Sequence, residues 1–239
     1  MPDEKQEKAI KNSLLEENPD SIEANFAAAE NYLMNGMFAE AEPHLMKALA
    51  IDEEKAYIHN HLGVVYFHQD NNGKAEQHFK RALQIEPDMI ESYFNLGMLY
   101  QKQGRFKDGL PYYKAVVNYE PDNAEAFYLM GQCAMCSDMI QEAKAFFAES
   151  FRLSPTPRTA MDLVILLISQ EEYPEAERVL EFLINIEDES QSNHETTNDN
   201  LFSNDEIESL RFTMGLEIIA LVNNSPSLSY KRMTLSIDD

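Results

Sequence analysis

The sequence predicts an all-α protein, a solenoid of stacked helical hairpins. One reason is recurrence. A glycine site is filled by Gly63, Gly97 and Gly131, and an aromatic site by Tyr32, Tyr66 and Tyr100, at a fixed spacing of 34 residues. The other is periodicity. From Glu91 to Pro121, Tyr93, Leu96, Gly97 and Tyr100 fall at i, i+3, i+4 and i+7. A turn follows at Gly104, and then Phe106, Leu110, Tyr113 and Val117 mark a second apolar stripe that Pro121 closes.

Four more sites keep the same register. A leucine-like site holds Leu62, Leu96 and Met130, and a small site holds Ala41, Ala75, Gly109 and Ala143. A bulky site holds Leu45, Phe79, Tyr113 and Phe147, and a closing proline recurs at Pro19, Pro87, Pro121 and Pro155. On this pattern the chain resembles the tetratricopeptide repeat (TPR) family over roughly Ser21 to Glu187. The resemblance implies a right-handed superhelical solenoid of helix–turn–helix repeats, in which each hairpin buries its outer stripe only against the next. Small residues at Gly97 and Gly109 let the paired helices approach, with Tyr100 and Tyr113 expected on the flanks. A large residue at Ala75 or Ala143 should overpack the hairpin.

Taken in order, residues 1–21 read as an N-terminal capping helix, with Ala9, Ile10, Leu14 and Leu15 apolar. Repeat one spans 22–55, turns at Gly36 and carries Ala29 at the glycine site. Repeat two spans 56–89; its Q-D-N-N-G turn places Gly73 late and leaves the turn geometry open. Repeats three and four span 90–123 and 124–156. Three junctions share P-D-x-x-E, with Asp20, Asp88 and Asp122 expected to cap the next helix and Glu23, Glu91 and Glu125 in its first turn. Repeat five, 157–188, is one residue short at its P-T-P-R junction, and Leu163, Leu167, Tyr173, Ala176 and Leu180 keep the pattern. Its first helix is apolar nearly all round, from Leu163 to Ile168, and should be covered on both sides. Residues 189–204 are acidic, lack Lys and Arg, and read as a flexible insertion. Residues 205–239 read as a degenerate sixth repeat or a C-terminal capping helix, opened by Ser203 and Glu206.

The net charge is −23, from 42 acids against 19 bases. Phosphate binding runs on Lys and Arg, so nucleic acid is not an expected partner. A solvated acidic surface, or a basic partner, is. The longest apolar run, Leu163 to Ile168, is too short to cross a bilayer, and the opening M-P-D-E-K-Q-E-K has no signal-peptide pattern. No membrane insertion and a cytoplasmic location are expected. Two cysteines do not make a disulfide framework.

The TPR resemblance implies that first helices line a concave groove for a partner segment. Carried onto this chain, the groove is Phe26, Tyr57, His61, Val64, Phe94, Asn95, Met98, Tyr128, Leu129, Gln132, Met161 and Ile165. It is apolar and aromatic, with methionines as adaptable contacts. The expected partner is a protein or peptide with an apolar or amphipathic segment, which can be basic. The competing use of these side chains is tighter packing of the superhelix. One TPR subclass grips the C-terminal carboxylate of chaperones through Lys, Asn and Arg. Here Phe26, Glu30, His61, Glu91 and Asn95, or in the next frame Asn60, Val64, Asn95, Glu125 and Leu129, stand at those sites, so that ligand is not expected.

Cys133 and Cys136 form a CxxC inside a helix, without the second pair that a zinc site uses. His59, His61 and His68 share one helix, but His61 and His68 stand too far apart for one metal. No nucleophile elbow, phosphate-cradling loop or H-E-x-x-H occurs. The reading is a non-enzymatic interaction scaffold or adaptor without cofactor or metal. The alternatives are a self-assembling structural TPR protein that forms a homo-oligomer through its terminal helices, and a redox or metal-binding module at the CxxC.

Overall fold

The computed structural model describes residues 20–179 and residue 182. All lie in one compact unit, Met1–Glu187; a second unit, Asp188–Asp239, falls outside the described residues. The expected capping helix, the acidic insertion, the sixth repeat and Leu180 also lie outside them. Nine helices carry the described chain: α1 Ile22–Met34, α2 Phe38–Ile51, α3 Ala56–His68, α4 Asn72–Ile85, α5 Ile90–Lys102, α6 Phe106–Tyr119, α7 Ala124–Met135, α8 Ile140–Leu153 and α9 Pro157–Ser169. Residues 173–179 are helical as well and follow α9 as its partner (α10). There is no strand among the described residues. Consecutive helices pair as hairpins, α1 with α2, α3 with α4, α5 with α6 and α7 with α8.

Each hairpin turn is built the same way. One residue takes the left-handed region: Gly36, Asp70, Gly104, Asp138 and Glu171, with φ between 59° and 71°. The amide after it bonds the carbonyl five residues back, as in Met37 N to Tyr32 O at 2.9 Å and Arg105 N to Tyr100 O at 2.8 Å. The left-handed residue bonds the carbonyl three back, as in Gly104 N to Gln101 O at 2.9 Å. This is the Schellman closure, and it satisfies carbonyls that a helix end leaves open. The open question in repeat two is thereby answered. Asp70 takes the left-handed position, and Gly73 lies inside α4. The one-residue shortening of repeat five appears as the step from Asp138 to Glu171.

The helix starts differ from expectation. Side-chain caps come from Ser21, Asn71, Asn123 and Thr156, with Asn123 Oδ1 accepting from Ala126 N at 2.8 Å. Asp20 and Asp122 stand one residue too early to cap, and at the later junction Pro121 and Asp122 themselves form the turn. At α5 the cap position is Met89, again one past the aspartate, with no side-chain hydrogen bond. The first-turn acids Glu23, Glu91 and Glu125 are where the dipole favours them.

Inside the hairpins, small residues meet rings directly. A Cβ on Gly97 would stand 2.6 Å from the Tyr113 ring, and one on Gly131 2.6 Å from the Phe147 ring. Tyr113 therefore covers Gly97 and does not flank it. Gly109 meets backbone: a Cβ there would be 3.1 Å from the Gly97 carbonyl oxygen. In repeat one the glycine site holds Ala29 and the bulky site Leu45, both fully buried. A larger small residue is matched by a smaller large one. Between repeats, Tyr66 donates to Glu42 Oε1 and Tyr100 to Glu76 Oε1, each at 2.8 Å. Ala134 and Leu110 occupy the next such sites and end that ladder. The buried apolar residues fall into two clusters, one from Ala29 to Tyr100 and one from Leu110 to Ala176. In α9, Leu163, Val164, Leu166 and Leu167 are buried, but Ile165 is 49% exposed, so cover on both sides is incomplete.

Candidate protein-binding face on the first helices

The first helices α1, α3, α5, α7 and α9 touch one another in series. Phe26 of α1 meets Tyr57 and His61 of α3 edge-on, at ring centroid distances of 4.7 and 4.9 Å. Asn60 Oδ1 of α3 accepts from Ser92 Oγ at 3.0 Å and Asn95 Nδ2 at 2.9 Å, both of α5. Gln101 Nε2 of α5 donates to Gln132 Oε1 of α7 at 3.0 Å. Tyr128 of α7 donates through its hydroxyl to Asp162 Oδ2 of α9 at 2.7 Å. Each contact fixes the angle between neighbouring repeats.

The last two contacts belong to one continuous chain. The Tyr113 hydroxyl donates to Gln101 Oε1 at 2.9 Å, and Gln132 Nε2 donates to the Tyr128 oxygen at 2.9 Å. With Gln101 to Gln132 and Tyr128 to Asp162, four helices are stitched by side chains that are each at least partly buried. Arg158 lies over the Tyr128 ring, 3.9 Å from its centroid, and 3.8 Å from Glu125. Burial first, and then the Asp162 carboxylate, push the Tyr128 phenol above its ordinary pKa, so it stays a donor.

The sequence-derived groove residues thus divide by exposure. Tyr128 and Leu129 are 4% and 9% exposed and form the wall behind the face. Phe26, Tyr57, His61, Val64, Phe94, Asn95, Gln132 and Met161 are half-buried, most of them in contacts between repeats. Met98 and Ile165 are exposed, at 36% and 49%. Packing of the superhelix and presentation to solvent therefore share these sites. Between α3 and α5 a small pocket of about 50 Å³ opens, lined by Val64, Phe67, His68, Asn95 and Met98 and backed by Phe79. Beside it, Lys102 Nζ sits 4.4 Å from the Phe67 ring centroid, donates to the Phe67 carbonyl at 2.8 Å and pairs with Asp70 at 2.6 Å.

Cys133 is buried, and burial pushes its thiol up to about 12. Only a thiolate attacks or ligates, so at neutral pH this cysteine is a core side chain. Cys136 is exposed at the α7 C-cap. His68 stacks on Phe38 at 4.0 Å, and His61 Nδ1 bonds the Tyr57 carbonyl at 2.7 Å. Among the described residues, no three His, Cys, Asp or Glu gather as metal ligands. No described helix is long and apolar enough to cross a membrane.

One feature escaped the sequence reading. His59 Nδ1 lies 3.0 Å from His78 Nδ1, and His59 Nε2 lies 3.1 Å from the Glu53 carbonyl oxygen. The carbonyl requires Nε2–H on His59, so the His59 Nδ1 lone pair accepts from His78 Nδ1–H. Burial, helped by the neighbouring His59, lowers the His78 pKa to about 4, and burial lowers that of His59. The signal was in the register: Asn25 and His44, one repeat earlier, form the equivalent pair at 3.2 Å.

Hairpins stacked in series, with side chains of successive first helices forming one continuous face, define a helical-repeat protein of the interaction-scaffold class. Two descriptions of the tetratricopeptide repeat match the sequence, over residues 54–118 and 94–155. Residues 54–155 are therefore tetratricopeptide repeats, and the hairpins on either side of them continue the same fold. No curated protein matches it. Among solved structures, MamA from Desulfovibrio magneticus RS-1 is 17% identical with a TM-score of 0.63, covering 73% of this chain and 97% of its own. PilF of Pseudomonas aeruginosa is 21% identical with a TM-score of 0.62, covering 87% and 94%. YrrB, described as a TPR protein with an unusual peptide-binding site, is 23% identical with a TM-score of 0.61, covering 77% and 93%. At these identities the likeness is one of fold.

Proposed function

We propose that this protein is a non-enzymatic scaffold that holds an apolar or amphipathic segment of a partner protein on its first-helix face. The observation that supports the reading is apolar surface left exposed at equivalent places. One position of the repeat holds Glu30, Val64, Met98, Gln132 and Ile165, and of these Met98 and Ile165 are apolar side chains left exposed while the hairpin interiors are filled by other residues. The small pocket beside Met98 offers room for one compact side chain of the partner. That YrrB is described as carrying a peptide-binding site is consistent with such a use of the fold. Groups with catalytic potential are already engaged: Cys133 is a protonated core thiol, and Asp162 accepts from Tyr128.

The test is site-specific photo-crosslinking in the full chain. A photoreactive residue at Met98 or Ile165 should give partner adducts, whereas one at Gln77 or Lys114, on the second helices, should not. Adducts of equal yield from both sets refute the face. Adducts only to a second copy of the chain would point instead to self-assembly.

A further inference from the structure

We infer that residues 4–17 dock on the open side of α1, as a second helix without its first, and close that end of the array within the same chain. The observation that carries this is burial on a side where no described hairpin lies. Ala24 and Ala28 of α1 are 0% and 6% exposed. They stand one turn apart, roughly 100–140° around the helix from Ala29, which takes the site that meets the paired helix. In later hairpins the same two sites hold Ile58 and Leu62, Ser92 and Leu96, and Ala126 and Met130, each at most 2% exposed. There the hairpin before supplies the cover. Leu96 joins the cluster built from the first two hairpins, and Met130 the cluster that holds Leu110 and Tyr113. The chain just upstream of α1 is placed to do the same for Ala24 and Ala28.

That upstream segment carries the register of a second helix. Leu14 and Leu15 stand 34 residues before Ala48 and Leu49, and Pro19 stands twice that before Pro87. Four residues, 18–21, separate the segment from α1, as four separate α2 from α3, α4 from α5 and α6 from α7. A connection that short returns the segment to its own α1 and not to a second copy. Fourteen residues is also the length of α2, α4 and α6. At 1.5 Å per residue the segment covers about 21 Å, against about 20 Å for α1. The small and bulky sites of a second helix meet the first helix of its own hairpin, as Gly109 and Tyr113 meet Gly97. Upstream those sites hold Glu7 and Lys11, and charge there suits a helix with no partner on that side. Sizes are exchanged across the seam as well. Ala48 of α2 shares a cluster with Ile58 and Leu62 of α3, whereas Leu14 comes to Ala24 and Ala28. Volume removed from one side is returned on the other, as close packing requires.

The experiment uses the full chain with Leu14→Ala, Ala28→Leu and the two together. Hydrogen exchange of the α1 amides is the readout, with the α7 amides as internal reference. Leu14→Ala leaves a void and should speed α1 exchange by at least about tenfold, while α7 changes by less than about twofold. Ala28→Leu overfills the seam and should speed it as much, or keep α1 from ordering. The double variant recreates the alanine-against-leucine arrangement of the interior seam. Its α1 exchange should return to within about threefold of the parent. Glu7→Ala with Lys11→Ala should change α1 exchange by less than about twofold. A double variant worse than either single, or a Leu14→Ala variant with unchanged α1 exchange, would overturn the docking. Sedimentation decides where the cover comes from: Leu14→Ala should run no more slowly than the parent at any concentration. A parent dimer that this variant dissolves would assign the site to a second copy and overturn closure within the chain.

Discussion

Alanine in place of Gly97 sets two effects against each other. Inside a helix, alanine is favoured over glycine by about 1 kcal/mol. Its methyl carbon, however, would stand 2.6 Å from one atom of the Tyr113 ring and within 2.9 Å of two more. The ring has little freedom to retreat. Tyr113 is fully buried, Phe94 packs edge-on against it at 5.7 Å, and its hydroxyl is bonded to Gln101. Overpacking costs about 1–3 kcal/mol, and this geometry belongs at the top of that range, so Gly97→Ala should lose about 2 kcal/mol net. Repeat one shows the remedy, since Ala29 there faces Leu45. Tyr113→Leu alone should lose about 3 kcal/mol through the void it leaves. In the double variant the new methyl enters that void, and the two losses should fall short of their sum by about 2 kcal/mol. Urea denaturation of the four proteins, followed by circular dichroism together with hydrogen exchange of α5 and α6 amides, measures the coupling. Additive losses, or a Gly97→Ala variant more stable than the parent, would refute the size matching.

The His59–His78 pair makes stability depend on pH. Because folding lowers both pKa values, that of His78 from the ordinary 6.5 to about 4, the unfolded chain binds more protons in this window. Stability from this source is at its full value above the unfolded pKa and falls, by up to about 3 kcal/mol, as pH drops toward 4. His59→Asn, which copies the Asn25–His44 pair, should flatten the denaturation midpoint between pH 6.5 and 4; an unchanged slope would count against the pair. In thiol titration of the native protein, Cys136 should react promptly and Cys133 only after denaturation; prompt reaction of both would contradict the burial of Cys133. A peptide ending in a chaperone-type acidic carboxylate tail should give no heat in calorimetry, because Glu30, His61, Glu91 and Asn95 supply none of the required Lys or Arg; micromolar binding would overturn this. Tyr128→Phe should cost about 1 kcal/mol by leaving Asp162 without its donor, whereas a neutral result would show that solvent takes the place of the hydroxyl.

The repeat frame could be read from spacing because packing at a glycine under a ring tolerates few residue types. Gly63, Gly97 and Gly131 are therefore visible as a period. The turns were visible in position but not in chemistry. Gly36 and Gly104 announce a left-handed residue, whereas Asp70, Asp138 and Glu171 adopt the same conformation without that mark, held by the two hydrogen bonds of the turn. Caps were misplaced by one residue for a related reason: a P-D pair suits both a turn and a helix start. The face was legible as a set of positions but not as a surface. Tyr128 and Phe94 look like groove aromatics in the sequence, and only the neighbouring helix decides that Tyr128 is buried under Arg158 while Met98 stays open. Partnerships such as Gln101 with Gln132 depend on the angle between repeats, which no single repeat encodes.

The two apolar clusters part inside the third hairpin, where α5 contributes Leu96 and Tyr100 to one and α6 contributes Leu110 and Tyr113 to the other. Stability in such an array is local, so the two blocks can loosen at different stress. A ligand reaching from Val64 to Ile165 touches both. Occupancy would then act as a splint, and the grip on a partner and the resistance of the array to coming apart would rise and fall together.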